Sequence, residues 1–279
     1  MKVFTCEEIK QGRVPAVESF STIAEYIKTK IIESPAIISA CFLGSFHRGD
    51  YDRTSDIEVL VIYKKEKREQ AFLLFQVLRD LAYKLSIPLD IISCADDRAV
   101  FPRRHPFEVT FFTHIEQCVQ YGASIKGNPL SLLTRRTESL ISTTEEYIRR
   151  KVSKFEKFFS AESILSEKET CDVVADILAF PIYTARKMLQ SCGYAFTHDD
   201  NKQAVVVSYK KHFPTVNVLF GRLLVYRQDY FLSLHNILMS GDNSVADKNY
   251  KNQIILSANL VFAVIDFAEE NLKILETVA

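Results

Sequence analysis

Residues 43–63 read LGSFHRGDYDRTSDIEVLVIY, and the order of residue types in this stretch decides how the first half of the chain folds. Gly44 and Ser45 close an apolar run, Arg48 and Gly49 lie on the polar turn that follows, and Ser55-Asp56-Ile57-Glu58 leads straight into the apolar run Val59 to Ile62. The pattern spells a strand end, a tight glycine-serine turn, a polar loop and a second strand with carboxylates at its start. Side chains two apart in a strand point to the same side, so Asp56 and Glu58 present their acids together while Ile57 faces away. Acids placed like this repel one another unless a cation sits between them.

Upstream, Phe20, Ile23, Ala24, Ile27 and Ile31 recur at helical spacing, which predicts an amphipathic helix over 17–32 ended by Ser34-Pro35. The run AIISACFL, residues 36–43, is short, apolar and bounded by turn signals, as a buried strand is. Downstream of Tyr63 the solvated charge run KKEKREQ opens a helix carrying Phe72, Phe75, Leu78, Leu81, Ala82 and Leu85, broken at Ser86-Ile87-Pro88. LDIIS, residues 89–93, predicts a third strand with Asp90 as its one polar intrusion. A proline-containing loop over 94–105 with Arg98, Arg103 and Arg104 follows. The loose alternation over 107–112 predicts another strand, with a short helix or strand end over 114–121.

Glycine, asparagine and proline crowd together in GASIKGNPL, residues 122–130, which places a domain boundary there. The division is 1–125, an α/β (α+β) domain with a short mixed sheet, and 126–279, an all-α helical bundle. In the second half Leu140, Ile148, Val152, Phe155 and Phe159 mark one helical face. Ser166 and Glu169 form a capping box for a helix that carries Pro181 and stops at Gly193. Further helices are expected over 200–212, 215–240 and 245–275.

The 279 residues are 47% hydrophobic, enough for two cores. Thirty-five basic residues balance thirty-five acidic ones, so the basic surplus of an extended nucleic-acid binder is missing and nucleic acid is not the expected partner. Six cysteines are scattered without a C-x-x-C pair, and Cys41 and Cys171 lie in apolar runs as buried free thiols. Thiols of this kind, no signal peptide before the first helix and no apolar run near membrane-spanning length point to a cytoplasmic protein without a membrane partner. A helical second domain also offers a surface for a homodimer.

The chemistry follows from the acids. Magnesium takes oxygen ligands and is held by one or two carboxylates together with substrate phosphates. Asp90 would complete a set for two ions, since a charge interrupting an apolar strand is costly unless it is paired or metal-bound. Gly44 permits close backbone approach to phosphate, and Ser45 adds a hydroxyl. Arg48 can neutralise a phosphate or serve a structural ion pair. Ser55 can brace the acid or the loop.

The set Gly44-Ser45, Arg48-Gly49, Ser55-Asp56-x-Glu58 and distal Asp90 resembles the DNA polymerase β-like nucleotidyltransferase superfamily. Within it, the chain is most similar in type to bacterial aminoglycoside and lincosamide nucleotidyltransferases and to minimal nucleotidyltransferases with helical HEPN-type partners. The resemblance implies that Asp56, Glu58 and Asp90 bind two magnesium ions and carry catalysis. It also implies that Gly44, Ser45, Arg48 and Ser55 contact a nucleoside triphosphate, with ATP the expected donor. Glu58 departs from the commoner aspartate, which weakens assignment to polymerases.

The expected reaction moves a nucleotide from the triphosphate to a hydroxyl of a small molecule of the antibiotic type. Nucleotidylation of a protein, as in toxin-antitoxin systems, and non-catalytic nucleotide binding are the alternatives. Lys126 near the boundary is a further phosphate candidate, and Glu145 and Glu146 read as a solvated helix face. A HEPN-type RNase is excluded, because no arginine and histidine lie four to six residues apart after residue 130.

Overall fold

The computed structural model describes residues 1–96, 109–133, 139–159, 166–197, 200–240 and 243–278. By their internal packing these residues form two compact units. One spans Val14–Ser139 with Phe196–Asn201, and the other Met1–Arg13, Leu140–Ala195 and Lys202–Ala279.

The sheet unit contains helix α2 (Val17–Glu33), strand β1 (Ile37–Leu43), the short α3 (Gly44–Arg48), β2 (Ile57–Tyr63), α4 (Arg68–Lys84), β3 (Leu89–Ala95), α5 (Val109–Gln120) and β4 (Ser124–Lys126); α1 belongs to the other unit. The four strands stand in the order β3-β2-β1-β4. β1 is antiparallel to β2 and to β4, while β2 and β3 run parallel, so the sheet is mixed.

β2 is central and buried on both faces, which explains its unbroken apolar run. Ile57, Val59 and Val61 meet Phe20, Ile23, Ile27 and Ile31 of α2 and Phe75 and Leu78 of α4. Leu60 and Ile62 turn the other way, toward Cys41, Cys94 and the α5 residues Phe112, Ile115 and Cys118. Burying a side chain of this size contributes about 1.5–3 kcal/mol, so the two layers hold β2 in one register. A one-residue slip would turn every acid of the motif to the opposite face.

Within the described part of 107–112 the expected strand is replaced by helix. Residues 109–112 begin α5, and the earlier part of that stretch lies outside the described residues, as do Arg98, Arg103, Arg104 and His105. Aromatic and β-branched residues give the stretch its strand propensity. Yet the buried positions Phe112, Ile115 and Cys118 recur every third residue, and packing of that helical face onto the sheet prevails. The fourth strand is instead β4, inside the glycine-rich stretch that reads as a linker. It is short, pairing Ala40 with Lys126 and Cys41 with Ser124.

Lys126 serves the fold. Its ammonium donates to the carbonyls of Ser34 (2.7 Å), Ile32 (3.2 Å) and Ile31 (3.5 Å), satisfying the open end of α2 where a cation also suits the helix dipole. Burial, with Lys64 nearby, lowers its pKa.

The helical unit comprises α1 (Cys6–Lys10), α6 (Leu140–Phe159), α7 (Glu167–Ser191), α8 (Lys202–His212), α9 (Asn217–Ser240), α10 (Asn243–Ala258) and α11 (Val261–Val278). The Ser166–Glu169 capping box forms, and α7 continues through Pro181 to end before Gly193, whose φ is +81°. Phe155, Phe180, Phe220, Phe267 and Tyr209 fill the centre. The first residues are tied in by polar bonds: the Cys6 amide donates to Glu167 (2.7 Å), and the Tyr250 hydroxyl to the Phe4 carbonyl (2.7 Å).

Contrary to the expectation from unbroken apolar runs, Tyr250–Val278 is long and apolar enough to cross a membrane by length and composition, with a mean hydropathy of 1.2 in its best window. Isolated polar residues interrupt its runs without lowering that average. Val261, Val264, Phe267, Ala268 and Leu275 of this segment are buried within the bundle, while Ile255, Leu256 and Phe262 are exposed.

Candidate active site

The register of the sheet assembles the acids. In the parallel pair Glu58 stands beside Asp90, and in the antiparallel pair Leu43 stands opposite Glu58. Gly44 follows Leu43 directly, so the glycine-serine turn begins next to the Glu58 side chain. Asp56, Glu58, Leu60 and Ile62 share the period of one sheet face, and Asp90 joins them through its pairing with Glu58. All three carboxylates therefore lie on the face that α5 covers, at the margin where the apolar layer stops. Asp90 is exposed, and Asp56 and Glu58 are half-buried.

Gly44 is required twice. Its φ of +68° is a left-handed conformation that side chains disfavour, and a Cβ there would lie 2.0 Å from Oε2 of Glu58. The carboxylate thus occupies the space the missing side chain leaves. The Gly44 amide donates to Nε2 of His114 in α5, at 3.2 Å.

Glu58 has its pKa pushed up to about 7. Loss of water around the carboxylate is the largest cause, followed by the negative charges of Asp56 and Asp90, with Arg48 pulling weakly the other way. The three acids consequently feel one another, and a cation would relieve the strain. Their donor set is all oxygen, which suits magnesium. Among the described residues no three acidic, histidine or cysteine side chains are drawn together closely enough to hold a metal by themselves. An ion here would take its remaining ligands from water and from phosphates, as magnesium commonly does.

The other residues of the motif hold the loop. Ser55 is buried, accepts from the Asp52 amide at 2.9 Å and donates its own amide to the Asp52 carbonyl at 2.9 Å. Thr54 donates its amide to the Asp52 carboxylate at 2.8 Å. This knot fixes the backbone that delivers Asp56 to β2. Arg48 makes an ion pair with Asp50 at 3.4 Å, both side chains largely enclosed, and Gly49 ends α3 with φ +73°. Ser45 follows Gly44 on the first turn of α3 and is half-buried. Glu145 pairs with Arg149 at 2.8 Å on an exposed helix face.

His114 carries no motif signal in the sequence. Only the helical spacing of Phe112, Ile115 and Cys118, which puts that helix on the acid-bearing face, could have drawn attention to it.

A mixed sheet with a Gly-Ser turn beside paired strand acids defines a nucleotidyltransferase fold. The family comparison agrees: residues 21–112, about a third of the chain, match the model of the nucleotidyltransferase domain. This part of the chain is a nucleotidyltransferase domain of the polymerase β-like superfamily. Among curated proteins no match to the chain is found.

The raised pKa of Glu58 has a thermodynamic consequence. Because the folded acid holds its proton up to about pH 7 while the unfolded one releases it near 4.5, the folded state binds more protons in between. Without divalent metal, stability is then highest below about pH 4.5 as far as this group is concerned. It declines as pH rises to about 7, by up to on the order of 3 kcal/mol. Thermal denaturation in EDTA between pH 5 and 8 should show a fall in Tm that is smaller in Glu58→Gln and smaller with magnesium present. An identical slope in Glu58→Gln would remove Glu58 as its source.

Proposed function

We propose that the chain is a magnesium-dependent nucleotidyltransferase that moves AMP from ATP to a hydroxyl of a small molecule, with hydroxylated antibiotics as the acceptor type. The observation that carries this reading is the placing of Asp56, Glu58 and Asp90 on one sheet face beside the Gly44-Ser45 turn, inside the segment that matches the nucleotidyltransferase domain. Asp56, Glu58 and Asp90 would hold the magnesium, which when bound offsets the charge of the triphosphate and makes the acceptor hydroxyl more acidic.

In the reaction the acceptor oxygen forms a bond to the α-phosphorus, the bond from that phosphorus to the bridging oxygen breaks, and pyrophosphate leaves. Asp90, the exposed acid of the three, would receive the acceptor's proton. Ser45, on the turn that Gly44 opens, binds phosphate, and Arg48 adds positive charge within reach of Glu58. The balanced charge of the chain favours a small acceptor over a nucleic acid. The free cysteines suit work in the cytoplasm, where thiols stay reduced.

The test is transfer of label from ATP carrying a radioactive α-phosphate, with magnesium, to a panel of aminoglycosides, lincosamides and co-purified proteins. Label on a small hydroxylated compound supports the reading. Label confined to a protein would assign the domain to protein nucleotidylation, and ATP binding with no pyrophosphate release under any condition would make it a binding module.

A further inference from the structure

The bond between the Gly44 amide and His114 stands outside the acidic set, and it fixes the start of the turn beside Glu58. Gly44 is buried and begins α3, where the first amides of a helix find no partner within it. Nε2 of His114 accepts that amide's hydrogen at 3.2 Å. Oε2 of Glu58 fills the position a Cβ would take. The Gly44 residue therefore meets both a ring from α5 and a carboxylate from β2.

The ring is itself held in place. Sγ of Cys118, one turn further along α5, lies 3.8 Å from Nε2 and 3.9 Å from Nδ1, so the thiol packs against the ring without favouring either nitrogen. Cys118 and its neighbour Ile115 are buried against Cys41 and Leu43, the strand that leads into the turn. The helix and its ring are thus packed against the strand that leads into the turn.

We propose that His114 is a positioning residue for the nucleoside triphosphate. It holds the Gly44-Ser45 turn at a set distance from the Glu58 carboxylate, so that phosphate meets a prearranged backbone. Since the Gly44 amide is already engaged, Ser45 is the turn's contribution to phosphate binding. The inference rests on the nucleotidyltransferase reading.

Steady-state kinetics of His114→Ala and His114→Gln, with hydrogen exchange of the peptide covering the turn, provide the test. The glutamine side chain carries an acceptor oxygen at a reach similar to Nε2 and should restore the bond. His114→Ala is expected to raise KM for ATP about tenfold with kcat changed by less than about threefold, the pattern of lost ground-state binding. It should also speed exchange at Gly44, and His114→Gln should return both values toward wild type.

An unchanged KM and unchanged exchange in His114→Ala would overturn the inference, as would a Gln variant no better than Ala while both keep the wild-type Tm. A wild-type protein that binds no ATP would fail at the earlier step and overturn the nucleotidyltransferase reading along with it.

Discussion

Asp56→Ala should reduce nucleotide transfer by roughly a thousandfold or more, since neutralising the charge of a triphosphate in the transition state is worth several kcal/mol, while the protein remains folded. The two halves of this expectation come from the same geometry. Asp56 shares its sheet face with Glu58 and Asp90, and its charge is one reason the Glu58 pKa is raised. Removing Asp56 takes away a ligand and a source of repulsion together. The metal-free variant should therefore melt no lower than wild type in EDTA at pH 8, and the Glu58 pKa should move back toward the ordinary carboxylate range. A loss of activity accompanied by a large fall in Tm would instead mark Asp56 as a structural acid, held by the loop that Ser55 and Asp52 tie together.

Gly44→Ala should lower both stability and ATP affinity, since the glycine lies at the turn and beside the Glu58 carboxylate. The added Cβ meets a carboxylate oxygen at 2.0 Å and must also adopt φ +68°. The conformational strain alone costs on the order of 1 kcal/mol, and forced displacement of packed groups commonly adds about 1–3 kcal/mol. The Glu58 carboxylate would have to rotate away from the turn, because its strand is held in register by apolar layers on both faces and does not shift with it. Gly193→Ala is the control. Its φ is +81° but nothing lies within 4 Å of the added carbon, so it should show the strain without the clash. Urea unfolding and ATP titration of the two variants would separate these contributions, and equal losses in both would show that the Glu58 contact does not matter.

Much of this was legible in residue order because the motif couples chemistry to strand period. Gly-Ser after an apolar run and Asp-x-Glu before one allow few layouts, and an acid inside the LDIIS run is hard to explain by packing. Pairing of β3 with β2 then follows from their being joined by a helix. The capping box at Ser166 and the amphipathic α2 were equally readable, since each is a local pattern with a local cause.

What could not be read depends on contacts between distant residues. The strand propensity read over 107–112 conceals the start of α5 at Val109, a helix whose burial is decided by the sheet beneath it. β4 is three residues long and hides among turn formers, where only its pairing with β1 makes it a strand. Lys126 reads as a phosphate ligand because a lone lysine near glycines carries no record of the helix end it caps. His114 gives no pattern at all, since its partner is the backbone of a residue seventy positions away. The acceptor side is illegible for the same reason, as helices specify packing faces in their spacing and not the molecules they meet.

The most direct test of the central claim, that Asp56, Glu58 and Asp90 share one metal-nucleotide site with the Gly44-Ser45 turn, is Mn²⁺ binding followed by electron paramagnetic resonance with and without a non-hydrolysable ATP analogue. Tight Mn²⁺ binding that requires the analogue, and that is lost in Asp56→Asn and in Asp90→Asn with the fold retained, is the predicted result. Mn²⁺ binding that is indifferent to the analogue, or unchanged in both variants, would contradict it.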